Sequence, residues 1–374
     1  MSTESNSSSG TRLASLDAAR GFDMFFIMGG EGLIVALAAL FGVADFGKAM
    51  GHVPWDGLHF MDTIFPTFLF LAGVTFPFSA AKSRERGATD LQIALKALRR
   101  CALLILLGLV HDGPLLRFDF AHLRVWSVLG RIGVAWFAAA LLYLWFKTKP
   151  RIGIASAILV GTVLFTRFVL APDAPDGASP FSAEGNFGCW LDRTLTGGHT
   201  YQRLFDPEGF AGIMPAVVTA MLGMFTGELV RRQDASPRRK CVELAVFGVG
   251  LLALGLGLSP VCPINKALWS PSFVLVVGAY SALLFLAFYA VIDVLGFAKW
   301  SFPLKVIGMN SIAIYMAQSV IGAGHANEFL FSWAWRHLPD DCANLKAVMM
   351  KLGYVAVCWL FLFFLYRKKI FFKV

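Results

Sequence analysis

Two histidines and two acids lie close together in the segment "GHVPWDGLHFMD": His52, Asp56, His59 and Asp62. Imidazole titrates near neutral pH and is the commonest general base, and a neighbouring carboxylate can orient it. The segment therefore makes His52 a candidate catalytic base, with Asp62 as a candidate partner. An inert histidine in a solvated loop is the simpler alternative. We expect no metal, because the spacing matches no zinc motif and a site would need three or four converging ligands.

The first apolar segment, "SLDAARGFDMFFIMGGEGL", has charged residues in or beside it, among them Asp17, Arg20 and Glu31. An ionisable side chain costs about 2.5–3.5 kcal/mol at the centre of a membrane, so each needs an explanation. Asp17 and Arg20 are three residues apart and share a helix face; they form a local ion pair, or Arg20 meets an anionic ligand. Glu31 is flanked by glycines, which permit close backbone approach. We expect its carboxylate to face a cavity or a cation, and it could orient His52.

Two arginines lie seven residues apart in "LRVWSVLGRIGVAWF" and share one stripe of a helix. Guanidinium groups match phosphate geometry well, so both are candidate ligand contacts. Arg124 could instead lie at the membrane interface. Arg131 would be two turns deeper and needs a partner, either a ligand phosphate or a carboxylate such as Glu31 or Asp62.

The elements that must position these residues are membrane helices. Hydrophobic residues make up 57% of the 374-residue chain and charged residues only 15%, against about 45–50% and about 25% in globular domains. Apolar windows of about 20 residues, the length that crosses a bilayer, indicate an all-α, polytopic membrane helix bundle of about ten transmembrane helices. These windows are 22–41, 60–80, 93–111, 124–146, 152–171, 210–230, 241–260, 271–293, 303–322 and 347–366.

Basic residues are divided unevenly between alternate connections, about twenty in one set and about seven in the other. Cytoplasmic loops are rich in Lys and Arg, so both termini are predicted to be cytoplasmic and His52 to face the other side. This bias explains most of the net charge of +9; we expect a lipid bilayer and no nucleic-acid partner. Residues 1–14 are predicted to be a disordered cytoplasmic tail without a cleavable signal peptide, and residues 15–374 a single transmembrane domain.

The outer connection 172–209 is the longest without predicted secondary structure. Long loops of this kind often act as lids or binding elements, and Trp190 and Tyr201 offer flat faces for a sugar. Cys189 and Cys262 both fall in predicted outer loops and could pair there.

From about Ser15 to Val374 the chain resembles the heparan-α-glucosaminide N-acetyltransferase family, and within it the bacterial transmembrane glucosamine N-acetyltransferases. Seven segments carry the resemblance, in order and at comparable spacing: "SLDAARG", "WDGLHFMDTIFPTFLFLAGV", "RVWSVLGRIGVAWF", "LFDPEG", "CPINKALWSPSF", "MNSIAIYM" and "LYRKKIFFKV".

The resemblance implies a transmembrane acyltransferase that moves the acetyl group of cytosolic acetyl-CoA to the amine of glucosamine or a terminal glucosaminide. The reaction would occur on the periplasmic side of a bacterial inner membrane. The family's active histidine precedes a Trp-Asn/Asp-Gly triplet, and His52 fills that position as general base or acetyl carrier. Animal members carry an asparagine where this chain has Glu31, so the partner of His52 stays open between Glu31 and Asp62. A homodimer is suggested by the resemblance alone.

The resemblance also divides the remaining polar candidates between the two substrates. The candidate acetyl-CoA contacts are Arg20, Arg124, Arg131, Asn310 and Ser311. The candidate amino-sugar contacts are Asp56, Asp206, Glu208, Asn265 and Lys266. Asn310 and Ser311 could instead form hydrogen bonds between membrane helices.

Two other functions remain open. Intramembrane charges also serve as coupling sites in transporters, so an amino-sugar transporter is one. A membrane O-acyltransferase is the second, because "RLASLDAARG" fits the R-x-x-x-D-x-x-R-G pattern with which that class also opens.

Overall fold

The computed structural model describes residues 13–111, 118, 124, 126–197, 199–320 and 322–372. Within these ranges the chain is helical and has no β-strand, only two isolated bridges, which confirms the predicted all-α class. Its α-helices are α1 Ala14–Phe25, α2 Glu31–Leu40, α3 Ala44–Met50, α4 Phe60–Glu85, α5 Asp90–His111, α6 Val128–Trp145, α7 Thr148–Phe168, α8 Phe187–Leu195, α9 Ile213–Arg231, α10 Pro237–Leu258, α11 Pro271–Phe288, α12 Phe302–Met309, α13 Ser311–Val320, α14 Ala323–Phe331 and α15 Ala343–Arg367.

Eight helical segments of the described chain are long and apolar enough to cross a membrane, so the protein is a multi-pass membrane protein. Most of the predicted tail, residues 1–12 of 1–14, lies outside the described residues. The eight segments are Ala14–Leu40, Phe60–Glu85, Val128–Trp145, Thr148–Phe168, Ile213–Arg231, Pro237–Leu258, Pro271–Val294 and Ala343–Arg367.

The other two predicted windows are helical but differ from simple apolar spans. The window 93–111 falls in α5, whose first half carries Lys96, Arg99 and Arg100. The window 303–322 is divided between α12 and α13, because the backbone leaves the helical conformation at Asn310 (φ −133°, ψ 34°). By length and apolarity alone, the described chain thus has eight candidate spans rather than ten. The helix α5 and the broken pair α12 and α13 occupy the other two predicted windows.

A π-helical turn, Phe26–Gly30, joins α1 to α2 and bends the first span. Gly29 has φ +112°, which only glycine adopts without strain, and a Cβ there would lie 2.8 Å from Cδ1 of Tyr354 in α15. The glycines before Glu31 therefore serve a bend and a close helix contact. That the carboxylate of Glu31 faces a cavity or a cation stays a prediction.

The centre of the bundle is the contact between α4 and α9, two largely buried helices. A Cβ at Gly73 would lie 2.2 Å from the carbonyl oxygen of Ala220, and one at Gly223 would lie 2.0 Å from that of Phe70. Small residues let membrane helices approach closely in this way. Because Asp62 lies in the first turn of α4 and residues 206–212 lead into α9, this packing brings their ends together.

Candidate active site

The imidazole of His52 is joined to the carboxylate of Asp62: Nδ1 lies 2.6 Å from Oδ1. The His52 side chain is 56% exposed, whereas that of Asp62 is 2% exposed. The second carboxylate oxygen accepts the backbone N–H groups of Val53 (3.1 Å) and His59 (3.0 Å). The loop before α4 is therefore folded around one buried carboxylate, which fixes the orientation of an accessible imidazole.

The hydrogen-bond pattern assigns the tautomer of His52. An ionised carboxylate only accepts, so Nδ1 must carry the hydrogen that lies between the two groups. In a neutral imidazole ring of this tautomer the lone pair is on Nε2. A residue so arranged can accept a proton or attack an electrophile.

The segment 262–270 lies directly against this loop. Asn265 donates its side-chain amide to Oδ1 of Asp56 at 3.0 Å, and the backbone N–H of Gly57 donates to the carbonyl of Ile264 at 2.8 Å. Ser270 accepts the backbone N–H of Asn265 at 3.0 Å. These bonds fix the position of the next residue in the chain, Lys266.

Lys266 completes a three-residue cluster with the histidine and its partner. Its Nζ lies 3.2 Å from Nδ1 of His52 and 3.4 Å from Oδ1 of Asp62. Burial lowers the pKa of Lys266 below the ordinary lysine range, although the carboxylates of Asp62 and Glu208 act in the opposite direction. The structure thus brings together residues that the sequence assigned separately to catalysis and to sugar binding.

Arg124, Asp206 and Glu208 form a second cluster at the same end of the bundle. The Nε of Arg124 donates to Asp206 Oδ2 at 2.7 Å, and its Nη2 contacts carboxylate oxygens of both acids. Burial acts to lower the pKa of Arg124, but the two carboxylates outweigh it and raise the pKa. The sequence assigned these residues to two different substrates, whereas in the structure their charges satisfy one another.

Arg131 is almost fully buried below this cluster. Its Nη2 donates to the carbonyl of Gly209 at 2.5 Å, and its guanidinium stacks on the ring of Trp269 at 5.0 Å. The acids close enough to interact electrostatically with its guanidinium are Glu208, Asp192 and Asp206. The carboxylates considered from the sequence, Glu31 and Asp62, are not its hydrogen-bond partners.

Asp192 is a buried carboxylate that the sequence did not single out. It lies in α8, accepts the backbone N–H of Ala211 at 3.2 Å, and approaches Gly209 so closely that a Cβ there would lie 2.0 Å from Oδ2. Burial raises its pKa to about 6. No local pattern marked it, since its neighbours come from a segment about twenty residues away.

The outer connection is folded against the histidine loop, and its prediction as structureless was wrong. It contains α8, whose N-cap Asn186 accepts the backbone N–H of Cys189 at 3.2 Å. The indole of Trp55 donates to the carbonyl of Phe181 at 2.8 Å and packs on Phe205, with ring centroids 4.8 Å apart.

The aromatic residues proposed to stack on a sugar contact protein groups instead: Trp190 packs on the ring of Phe187, and the ring of Tyr201 lies under the guanidinium of Arg124. Cys189 and Cys262 are both free cysteines, so the pairing considered from the sequence is not formed.

Two arginines from other helices, Arg20 of α1 and Arg100 of α5, lie near each other beside α4, farther along that helix than Asp62. Arg20 donates to the hydroxyl of Thr75, which is thirteen residues after Asp62 and so about 20 Å along the helix axis. The guanidinium of Arg100 stacks on Trp136 at 4.4 Å, and its buried Nε has no hydrogen-bond partner. Arg20 and Arg100 are close enough to repel one another. Arg100 was not among the residues predicted for the site, because its neighbours Trp136 and Arg20 come from other helices.

Asn310 and Ser311 bond to the protein backbone. The Asn310 amide donates to the carbonyl of Ile370 at 3.0 Å and accepts the N–H of Phe372 at 3.1 Å. The hydroxyl of Ser311, the first residue of α13, donates to the carbonyl of Gly308 in α12 at 3.2 Å. These bonds favour the structural alternative for both residues. Within the described ranges His52 is bonded to Asp62 and not to Glu31, so the structure favours Asp62 as the partner.

Within the described ranges no group of three or more His, Cys, Asp or Glu residues could hold a metal ion.

No protein-family model matches the chain. Two curated relatives do, and each is named heparan-alpha-glucosaminide N-acetyltransferase. The human protein is 28% identical over 375 residues, which cover 86% of this chain and 55% of the relative. The mouse protein is 26% identical over 423 residues, which cover 99% of this chain and 62% of the relative. The chain thus spans a little over half the length of these relatives. Both alignments extend over most of this chain, so its sequence is similar to that of heparan-α-glucosaminide N-acetyltransferases along nearly its whole length.

Proposed function

We propose that the protein is a transmembrane N-acetyltransferase that moves an acetyl group from acetyl-CoA to the amine of glucosamine or a terminal glucosaminide. One observation carries the proposal: an accessible imidazole, His52, whose Nδ1 is held by a buried carboxylate and whose Nε2 is left with its lone pair. The names of the curated relatives supply the reaction class.

The chemistry follows from that lone pair. The acceptor amine attacks the thioester carbonyl only in its neutral form. Nε2 of His52 takes the proton that the nitrogen loses as the C–N bond forms, while the C–S bond breaks and the CoA thiolate leaves and is protonated. In the alternative route Nε2 attacks the thioester carbonyl first, and the C–S bond breaks as the CoA thiolate leaves and is protonated. The neutral amine then attacks the acetyl group, the bond from carbon to Nε2 breaks, and Nε2 takes the proton that the amine loses. Both routes require the same atom and the same partner, Asp62.

Acetyl-CoA carries several phosphates and is made in the cytoplasm, so its binding requires cations on a path to His52. The closely spaced Arg20 and Arg100 are the strongest candidates, because like charges in a poorly solvated place are stabilised by an anion. They lie about 20 Å along α4 from Asp62. The pantetheine arm would then extend along α4 toward the imidazole. In this arrangement the protein lies in a bacterial inner membrane with His52 facing the periplasm.

The acceptor would bind beside His52, where exposed polar groups surround it. Asp56 is exposed and uses one carboxylate oxygen to hold Asn265, so its second oxygen is a candidate partner for a sugar hydroxyl or the ammonium. Lys266, Asp206 and Glu208 line the same end of the bundle. A homodimer stays an expectation from the resemblance.

The test is acetyl transfer by the purified chain in detergent, from radiolabelled acetyl-CoA to a panel of amino sugars. We expect a labelled N-acetyl product that resists hydroxylamine. A hydroxylamine-labile product would indicate an O-acyltransferase, since esters react and amides do not. Uptake of labelled glucosamine by proteoliposomes lacking acetyl-CoA, with no acetylated product, would indicate a transporter. Either result would overturn the proposal.

A further inference from the structure

We propose that Lys266 is a positioning residue that keeps the imidazole of His52 neutral, with its hydrogen on Nδ1, by neutralising the carboxylate that His52 shares with it. This role rests on the proposed function. It replaces direct sugar binding, the role that the sequence suggested for Lys266.

The geometry that carries the proposal is the sharing of one oxygen. Oδ1 of Asp62 lies 2.6 Å from Nδ1 of His52 and 3.4 Å from Nζ of Lys266, and the two nitrogens are 3.2 Å apart. Nδ1 must donate to the carboxylate, so it has no lone pair for the ammonium. The short contact between the two nitrogens is therefore an electrostatic one. The Lys266 side chain is 16% exposed, so solvent screens this contact only partly.

A carboxylate alone would work against a basic imidazole. An opposite charge within about 4–6 Å stabilises the charged form of a group and shifts its pKa by about 1–3 units. Asp62 by itself would thus favour an imidazolium, whose Nε2 is already protonated and cannot accept a proton. An ammonium beside the same oxygen cancels that attraction, while the hydrogen bond that fixes the tautomer is retained.

Other charged groups act on this cluster from neighbouring elements, and their signs oppose one another. Glu208, from the outer connection, stabilises the Lys266 ammonium, and Arg131, from α6, destabilises it. Asp56 is engaged by the amide of Asn265. His59 faces Asp62 through its backbone N–H. Lys266 is therefore the charge whose removal changes the field at Nδ1 most directly.

The experiment measures the pH dependence of carbethoxylation of His52 by diethylpyrocarbonate, read from the modified peptide by mass spectrometry. The reagent reacts with an unprotonated imidazole nitrogen, so the midpoint reports the proton on Nε2 without any acetyl transfer. The variants are Lys266→Met, Lys266→Gln and Lys266→Arg. The control is Lys48→Met, which removes an exposed lysine of α3 that pairs with the exposed Asp45.

For Lys266→Met and Lys266→Gln we expect the midpoint to rise by about one pH unit, which makes His52 about tenfold less reactive below the wild-type midpoint. Lys266→Arg and Lys48→Met should retain the wild-type midpoint. Thermal unfolding in detergent identifies which of the Met and Gln variants are folded, and the midpoint is compared for those. A midpoint that is unchanged or lower in both would show that Lys266 has only a structural role, and would overturn the inference.

The acidic limb of the acetyl-transfer rate should shift by the same amount in the same variants. If no amino sugar is acetylated by the wild-type protein, the proposed function fails, while the modification midpoints still decide the role of Lys266. The two failures are thus distinguishable.

Discussion

The Nδ1 atom of His52 and the Oδ1 atom of Asp62 lie 2.6 Å apart and join an accessible imidazole to a buried carboxylate. The two residues are ten positions apart, and the intervening loop is closed by backbone donors from Val53 and His59 to the other carboxylate oxygen. The Asp62 side chain thus both closes the loop and orients the imidazole of His52. Substitutions of the two partners should consequently have different effects on activity and on stability.

Replacing the histidine should remove activity and leave the fold intact. His52→Gln removes the proton acceptor, and general bases contribute about 10²–10⁴-fold, so acetyl transfer should fall at least 100-fold. The side chain is more than half exposed and contributes little packing, so thermal unfolding in detergent should be unchanged. His199→Gln, an exposed histidine of the outer connection, is the matched control. A His52→Gln protein with normal turnover would remove the catalytic assignment.

Replacing the carboxylate should affect both properties. Asp62→Asn removes the negative charge that receives three hydrogen bonds, and a bond to a charged group contributes about 1.5–3 kcal/mol. Activity should fall by a factor similar to that for His52→Gln, and the unfolding temperature should fall as well. Asp45→Asn, at an exposed acid of α3, should change neither. An Asp62→Asn protein that is as stable as the wild type would contradict the role of the carboxylate in the loop.

The helical class and the apolar spans could be predicted from composition and window length, since they depend on local sequence. His52 and Asp62 are close in the chain, so their partnership was within reach. The choice between Asp62 and Glu31 was not, because it depends on how the loop before α4 folds around the Asp62 carboxylate.

Contacts between distant segments account for what the sequence did not reveal. Asp192 becomes a buried charge only when α8 docks near Gly209, and Arg100 only when α5 packs on Trp136. Arg124 and Asp206 are 82 residues apart, so their pairing had no local signal. From the sequence, Arg124 was a candidate contact for acetyl-CoA and Asp206 a candidate contact for the amino sugar.

Removing Arg124 should destabilise the protein strongly. Arg124→Met leaves Asp206 and Glu208 buried without the cation that they share, and breaking a buried pair costs about 3–5 kcal/mol. Adding Asp206→Asn should recover part of that loss, because the second change removes one uncompensated charge. The measurement is unfolding of the single and double variants in mixed micelles. Strictly additive losses would contradict the coupling. Arg336→Met, in an exposed pair with Glu328, should cost about 0–1 kcal/mol.

The carboxyl of Asp192 should make stability depend on pH. Burial raises its pKa from 3.8 to about 6, so the folded protein holds this proton more tightly than the unfolded chain does. The stabilising contribution is fully present below pH 3.8 and is lost as the pH rises through about 6. A shift of about 2 units corresponds to about 3 kcal/mol. Asp192→Asn should therefore gain stability relative to the wild type between pH 4 and 7. A difference that stays constant over that range would show that the carboxyl does not titrate there.

The contact between α1 and α12 should tolerate no added side-chain atom. A Cβ at Gly308 would lie 1.8 Å from the carbonyl oxygen of Asp17, and a backbone atom cannot move aside without shifting its helix. Overpacking costs about 1–3 kcal/mol even where side chains can adjust, so Gly308→Ala should lower the unfolding temperature clearly. Gly250→Ala is the control, because a Cβ there meets nothing within 4 Å and alanine is favoured over glycine inside a helix by about 0.5–1 kcal/mol. If Gly308→Ala unfolds at the wild-type temperature, the two helices are not in this close contact. Since α1 also carries Arg20, a shift of α1 in this variant should weaken acetyl-CoA binding as well.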